Sequence, residues 1–293
     1  MKHIISFSGG KDSTAMLLRM IELNYPIDKI IFADTTLEFP EMYDWINRIE
    51  KLIKIHITRV TAKHSWDDWF YGKFTKGKFK GEIRGFPYVV NKCWWSRDCK
   101  IMPMKNEQGQ NNIIYIGIAK DEERRAEAKQ YKDSINEYRF PLIEWGWTED
   151  DCINYLKSRG LEHPLQSKFK RTGCWLCQKQ SLKSLKSLYL HYPELWNKLK
   201  QYEKDSPHGF KPNFSLDQFE NKVKRELTQT TLLKIEKKME MHKHSSGIEY
   251  VNPLMRDSAI FQKILNLLRI FDFSNILNTL LENLSNCENL EQG

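Results

Sequence analysis

The stretch Phe7-Ser8-Gly9-Gly10-Lys11-Asp12-Ser13 reads as a strand end, a glycine turn and a helix start. Ahead of it, His3 to Phe7 is a short apolar strand. Behind it, Lys11 to Glu22 carries Met16, Leu17, Leu18, Met20 and Ile21 as a mostly one-sided apolar stripe, the pattern of an amphipathic helix. Two glycines let the backbone come close to an anion, and a helix N-terminus offers free amide donors and the positive end of a dipole. Ser8 and Ser13 add hydroxyls, and Lys11 adds a point charge. A bare glycine pair would signify only a turn with a polar cap. The full hexapeptide between strand and helix points instead to a phosphate cradle. Its glycine–lysine spacing is not that of a Walker A loop.

Outward from this loop the elements alternate. Lys29 to Ala33 reads as a second buried strand and Pro40 to Leu52 as a helix with proline in its first turn. Ile55 to Val60, Asn112 to Ile118 and Tyr138 to Ile143 are further strands, with helices at Asp121 to Tyr131 and Thr148 to Ser158. Such alternation implies parallel pairing with right-handed crossovers, an α/β fold with a doubly wound, mostly parallel sheet whose ligand lies beyond the strands' carboxyl ends. Beyond about Gly160 helical signals dominate, at Ser181 to Tyr189, Pro193 to Lys204, Leu216 to Glu240 and Ala259 to Leu284, with His242 to Gly247 as a linker. The expected organisation is a nucleotide-binding α/β domain over 1–160, a cysteine-bearing segment over 161–205 and a helical C-terminal region over 206–293.

The 293 residues carry a net charge of +8 and are 40% hydrophobic. That is enough to bury a core, and the charge is compatible with a polyanionic partner. No apolar run approaches the roughly 18 residues of a membrane span, so no membrane partner is expected. Met1 to Ser6 has no signal-peptide layout, and a cytoplasmic location is expected. Six cysteines in such a chain point to metal or redox use rather than to a disulfide framework.

The glycine loop resembles the pyrophosphate loop of the N-type ATP pyrophosphatases, whose relatives include the phosphoadenylyl-sulfate (PAPS) reductases. Other stretches, over most of Met1 to about Trp196, resemble the PAPS reductase branch. Ala33-Asp34-Thr35-Thr36-Leu37-Glu38-Phe39-Pro40-Glu41 is similar to the family segment whose acidic–threonine pair lies near the nucleotide. Asp34, at a strand's carboxyl end, also suits a ribose or metal contact or a simple cap. Trp94 to Met104 resembles the segment that pairs an arginine with a Lys-x-x-Pro turn, and Arg97 and Lys100 suit phosphate or sulfate oxygens. Gly117 to Ala126 resembles the substrate-side segment, but Ala119 stands where the family carries arginine. Asp121, Glu122, Arg124 and Arg125 read as a solvated face that can still serve the site. The stretch from Pro141 to Asp150 matches a strand leading into an acid-capped helix. The resemblance implies a Rossmann-like fold of the HUP, or adenine nucleotide alpha hydrolase, type.

Gly173-Cys174-Trp175-Leu176-Cys177 is a C-x-x-C pair, and Cys93 with Cys99 forms a second. Two pairs from separate segments suit a four-thiolate site, structural zinc or an iron–sulfur cluster, unless some are buried apolar residues. Trp94, Trp95 and Trp175 would give such a site a dry shell. Cys152 reads as core, and Cys287 sits in a polar tail. The Gly-Cys-Trp-x-Cys form resembles the motif of the Dnd-type DNA phosphorothioation proteins, and that resemblance implies a 4Fe-4S cluster, with zinc as the alternative.

The leading expectation is therefore an enzyme that binds ATP with Mg2+, adenylates an acceptor with release of pyrophosphate, and takes part in sulfur transfer. Lys11, Asp12, Arg97 and Lys100 are the expected catalytic groups. Ser8, Gly9, Gly10, Lys11, Asp12, Ser13, Asp34, Thr35 and Gly117 are the expected nucleotide contacts, and Cys93, Cys99, Cys174 and Cys177 the expected metal ligands. DNA or tRNA is the candidate acceptor and a cysteine desulfurase the candidate sulfur donor. Lys73, Lys76, Lys78, Lys80 and Arg84, interleaved with Phe74, Phe79 and Phe86, would suit a nucleic acid or a lid. The first alternative is a PAPS-type or APS-type (lacking the 3′-phosphate) sulfonucleotide reductase. Ala119 and the tail around Cys287, which lacks the reductases' cysteine motif, count against it. The other is a non-catalytic nucleotide- and DNA-binding component with structural zinc. The stripe Phe261, Ile264, Leu265, Leu268 and Phe271 is expected to be core or interface, and the oligomeric state is left open.

Overall fold

The computed structural model describes residues 1–87, 93–132 and 134–246, with side chains as far as 231. Five strands, β1 (His3–Phe7), β2 (Lys29–Ala33), β3 (Ile57–Val60), β4 (Ile113–Ile116) and β5 (Glu137–Arg139), form one sheet in the order β3-β2-β1-β4-β5. All four pairings are parallel. The chain steps from β1 outward through β2 to β3, then returns to the other side of β1 for β4 and β5. The topological switch therefore lies between β1 and β4, where doubly wound sheets open a crevice. The expected α/β fold with a doubly wound parallel sheet and a helical C-terminal region is the fold observed.

β1 and β2 are apolar without alternation because both faces are covered, as central parallel strands require. Ile4, Ile31 and Ile114 meet on one face, packed against Val60, Met104, Ile116 and Tyr138. Ile5 and Ile30 are fully buried on the other. Helix α1 (Lys11–Glu22) leads from β1 to β2, and α2 (Pro40–Ile53) from β2 to β3. After α3 (Trp66–Phe70) come α4 (Trp94–Ser96), a π-helical turn (Arg97–Ile101) and α5 (Met102–Gln108), which packs on β2 and β3.

Two expectations after β4 are corrected. The single charged helix over 121–131 is a 3-10 turn (Lys120–Arg125) followed by α6 (Lys129–Lys132), with a kink at Glu122. The strand expected over Tyr138 to Ile143 stops at Arg139, and Pro141–Glu144 forms α7. Pro141 has no amide proton for a ladder and fits the first turn of a helix. Next, α8 (Glu149–Lys157) packs along α1 and opens on a capping box. Thr148 Oγ1 accepts from Asp151 N at 3.2 Å, and Asp151 Oδ2 accepts from Thr148 N at 2.9 Å.

Helices α9 (Leu182–His191), α10 (Pro193–Asp205) and α11 (Leu216–Ser246) follow. Helix α11 runs through 242–246, so these residues of the expected linker are helical, and Gly247 lies outside the described residues. The chain divides into two compact units, Met1–Asp217 and Gln218–Gly293. Cys287 and the stripe of Ala259 to Leu284 lie outside the described residues. None of the helices among the described residues is long and apolar enough to cross a membrane.

Candidate functional site

The loop after β1 is held in shape by its own serines and glycines. Gly9 has φ +74°, and a Cβ there would stand 2.7 Å from Met42 Sδ, so glycine meets both a backbone and a space requirement. Ser8 Oγ and Ser13 Oγ are 2.9 Å apart, and Gly10 N donates to Ser8 Oγ at 3.3 Å. Gly10 is the N-cap of α1 and has no side chain to cap it. The first-turn amides of α1 therefore face the crevice without a side-chain acceptor, the local condition for binding an anion.

Gly117 closes the crevice from the β4 side. A Cβ there would lie 2.7 Å from Ser13 Cα and 2.9 Å from Ser13 N. Two backbone segments meet here with no room for a methyl group. Ala119, two residues on, is fully buried. The 3-10 turn beyond it pairs Lys120 with Glu123 at 2.7 Å and Arg125 with Glu122. These charges face solvent, as expected of such a run.

Lys11 does not stand free. Its Nζ lies 3.1 Å from Asp12 Oδ2 and 2.8 Å from Glu149 Oε2. Burial would lower its pKa, but Glu149 and Asp12 together raise it. Burial raises the Asp12 carboxyl, partly offset by Lys11, and its Oδ1 is buried with no partner. Glu149 opens α8, where the sequence reading saw only architecture. The signal available was an acid at the first position of a strongly capped helix. His163, also missed, is 4% exposed. Its Nδ1 accepts from Leu165 N at 3.3 Å, which leaves the proton of the neutral ring on Nε2. Nε2 faces the Gly9 carbonyl without closing a full hydrogen bond. Burial pushes the imidazole down to about 4.

At the end of β2 the acidic–threonine pair divides. Asp34 Oδ1 accepts from Thr36 N at 2.7 Å and from Tyr43 Oη at 2.9 Å. Thr36, with φ +59°, makes a turn that a non-glycine residue rarely adopts. Thr35 is fully buried and donates to Glu38 Oε1 at 2.8 Å. Its hydroxyl also lies near the Cys174 thiol. Lys100 Nζ lies 3.8 Å from Glu38 Oε1. Burial raises the Glu38 carboxyl against the pull of Lys100. Lys100 thus faces the buried acid and the thiols. Arg97 instead is 63% exposed and bonds Asp98 Oδ1 at 2.8 Å. The two cations expected to act together point to different surroundings.

The five described cysteines are free thiols. Electrostatic contacts link Cys93 to Cys99 and Cys177, and Cys174 to Cys99 and Cys177, and Lys100 reaches Cys99, Cys174 and Cys177. Burial pushes the Cys93 and Cys99 thiols up, and the Cys174 thiol up to about 12. Trp175 N donates to Leu37 O at 2.9 Å, which ties the C-x-x-C turn to the loop after β2. Gln180 Nε2 braces the turn with bonds to Cys174 O at 3.3 Å and Trp175 O at 2.7 Å. Trp95 and Trp175 are buried, but Trp94 is 56% exposed, so the dry shell comes from two tryptophans rather than three. Cys152, within α8, is fully buried, as a core residue. Among the described residues, no group of three or more His, Cys, Asp or Glu side chains is close enough to hold a single metal ion.

The basic excursion is a hairpin-like loop closed by an antiparallel bridge between Lys73 and Ile83. Phe86 is 1% exposed and packs on Phe70 and Phe210. Of the three interleaved aromatics, Phe79 alone is widely exposed.

Residues 2–180 match the family model of the phosphoadenosine phosphosulfate reductase domain. The chain belongs to this family. The matched stretch contains the glycine loop, Gly117 and all four clustered cysteines. Relatives include an uncharacterized protein of Methanocaldococcus jannaschii, 27% identical over 208 residues, or 67% of this chain and 40% of the relative. A phosphoadenosine 5'-phosphosulfate reductase of Buchnera aphidicola is 27% identical over 169 residues, or 56% of this chain and 64% of the relative. The matches thus span about half of these curated relatives. A crystal structure of PAPS reductase from Candida auris, a phosphate complex, superposes with a TM-score of 0.43 at 18% identity, over 60% of this chain and 83% of that one. The relatives named as reductases are enzymes.

Proposed function

We propose that this chain is a nucleotide-binding enzyme of sulfonucleotide chemistry, which holds a PAPS-type or APS-type substrate with its phosphates on the first turn of α1. The observation that carries this reading is the uncapped N-terminus of α1 at the switch point, closed by Gly117 with no space for a side chain. The family and the relatives named as PAPS reductases support the choice of substrate class. On this reading the free amides and Lys11 hold phosphate oxygens, and Asp34 accepts from the ribose. Lys100, oriented by Glu38, stands between the nucleotide and the thiols. Chemistry at such an anionic centre rests mainly on positioning and charge neutralisation.

The four thiols suit a metal group by donor type. The Cys93, Cys99 and Cys174 thiols, pushed up by burial, are protonated without metal, and binding one would release those protons. A 4Fe-4S cluster is the group that the Gly-Cys-Trp-x-Cys resemblance implies, with structural zinc as the alternative. Cys93, Cys99, Cys174 and Cys177 would hold it, and when bound it would supply redox or electrostatic chemistry beside Lys100.

A second reading is adenylation of an acceptor from ATP and Mg2+ with release of pyrophosphate, linked to sulfur transfer as in the Dnd-type branch. DNA or tRNA would be the acceptor, and a cysteine desulfurase would supply the sulfur. Buried Ala119 favours it, because no arginine reaches the substrate from that position. One experiment separates the two. Anaerobically purified protein is incubated with radiolabelled PAPS, APS or ATP and a dithiol reductant. Sulfite from either sulfonucleotide supports the proposal, and pyrophosphate from ATP alone supports the second reading. Binding of nucleotide with neither product would leave a non-catalytic component.

A further inference from the structure

Between the C-x-x-C turn and the start of α9 lies a cavity of about 440 Å³ that the glycine loop does not line. Lys170, Arg171 and Lys179 surround it, and none of its lining residues is acidic. These three cations have no carboxylate partner among the described residues, although ion pairs occupy Lys11, Arg97 and Arg125. The first turn of α9 opens on the same space through Ser181 and Ser184. Ser181 caps only the Ser184 amide, at 3.1 Å, and the other first-turn amides keep their donors for a ligand.

A second observation is independent of charge. Gln180 lines the cavity, is 8% exposed, and has a buried Oε1 with no partner. Its Nε2 is committed to the Cys174 and Trp175 carbonyls, which fixes the other amide atom as an acceptor. A buried acceptor left unsatisfied costs about 1–3 kcal/mol, a cost that a ligand hydroxyl would relieve once the Gln180 side chain turns its Oε1 from the wall into the cavity. The cavity adjoins the nucleotide crevice. A Cβ on Gly10 would lie 4.0 Å from Thr172 Oγ1, and one on Gly173 would lie 4.0 Å from Lys100 Nζ.

We propose that this cavity is a second oxyanion site, which takes the phosphate of a sugar-phosphate ligand and presents that ligand to the thiols and the nucleotide crevice. Its presentation to the nucleotide crevice rests on the nucleotide-binding function proposed above, whereas its binding does not. A sugar phosphate can come from a nucleic-acid strand or from a small free metabolite, and the chemistry of recognition is the same.

The test uses the full chain and three probes: a fluorescein-labelled single-stranded oligonucleotide followed by anisotropy, and ribose 5-phosphate and inorganic phosphate followed by calorimetry. Binding of the oligonucleotide or of ribose 5-phosphate is expected. Each of Lys170→Gln and Arg171→Gln should weaken it about tenfold, the worth of a charge-assisted hydrogen bond. Lys51→Gln, on exposed α2, should leave it unchanged. Oligonucleotide binding alone identifies a nucleic-acid ligand, and ribose 5-phosphate binding alone a small one. Binding of neither, or equal loss in Lys51→Gln, would overturn the site. Inorganic phosphate binding as tightly as ribose 5-phosphate would overturn the sugar half of the assignment. AMP binding is followed in parallel and should not respond to Arg171→Gln. Loss of AMP binding in Lys11→Ala with the probes still bound would keep the two sites distinct, and wild-type protein that binds the probes but no AMP would break only the nucleotide reading.

Discussion

Several groups that shape the site are individual residues with opposed requirements. His163 is the clearest case. It is buried beside the Gly9 carbonyl and near Lys11, and burial drops its pKa from 6.5 to about 4. The unfolded chain therefore binds more protons than the folded one between those values. Stability from this residue is present above pH 6.5 and is lost as the pH falls toward 4. The full shift corresponds to an order of about 3 kcal/mol. Chemical denaturation between pH 4 and 7 should show a slope that His163→Gln flattens in that window. An unchanged slope would mean that the ring is solvated in the folded protein. Nothing in the local sequence around His163 announces this role, because the pairing with Gly9 spans more than 150 positions. The hydrogen bonds among Ser8, Gly10 and Ser13 are the opposite case: they close within six residues, and their arrangement follows from strand, turn and helix alone.

At the level of elements, α8 couples the cap of one helix to the lysine of another. The Thr148–Asp151 capping box sets the first turn of α8, and that turn places Glu149 2.8 Å from Lys11. Thr148→Ala removes the cap and should cost about 1 kcal/mol in thermal or urea unfolding. It should also loosen Glu149 and weaken nucleotide binding several-fold, whereas Asp150→Ala, outside the box, should do neither. Equal effects of the two variants would separate the cap from the site. The acid-capped helix was legible in the sequence, and its partner was not, because the contact depends on α8 lying along α1. The strand expected over Tyr138 to Ile143 failed for a different reason. Its apolar run is too short to separate strand from buried turn, and Pro141 decides for the helix.

For the molecule as a whole, the glycine loop, Gly117, Asp34, Lys100 and the four clustered cysteines all belong to the compact unit Met1–Asp217. The family match, over residues 2–180, falls within it. A chain ending at Asp217 should therefore fold cooperatively and bind AMP within threefold of the full chain, as read by calorimetry. A truncated chain that is monomeric and folded but does not bind AMP would assign part of the site to the remaining residues.

Local chemistry by itself determined the parallel α/β fold and the strand–glycine turn–helix loop, because buried central strands are continuously apolar and the loop is built from neighbours in sequence. The same holds for the two cysteine pairs as candidates. Only the tertiary structure decided that Lys11 is held by Glu149, that Thr35 and Lys100 turn toward the thiols while Arg97 faces water, and that Trp94 is exposed. Those outcomes depend on which helix packs beside which strand end, and a side chain's partner across that gap is set by three-dimensional packing rather than by spacing along the chain.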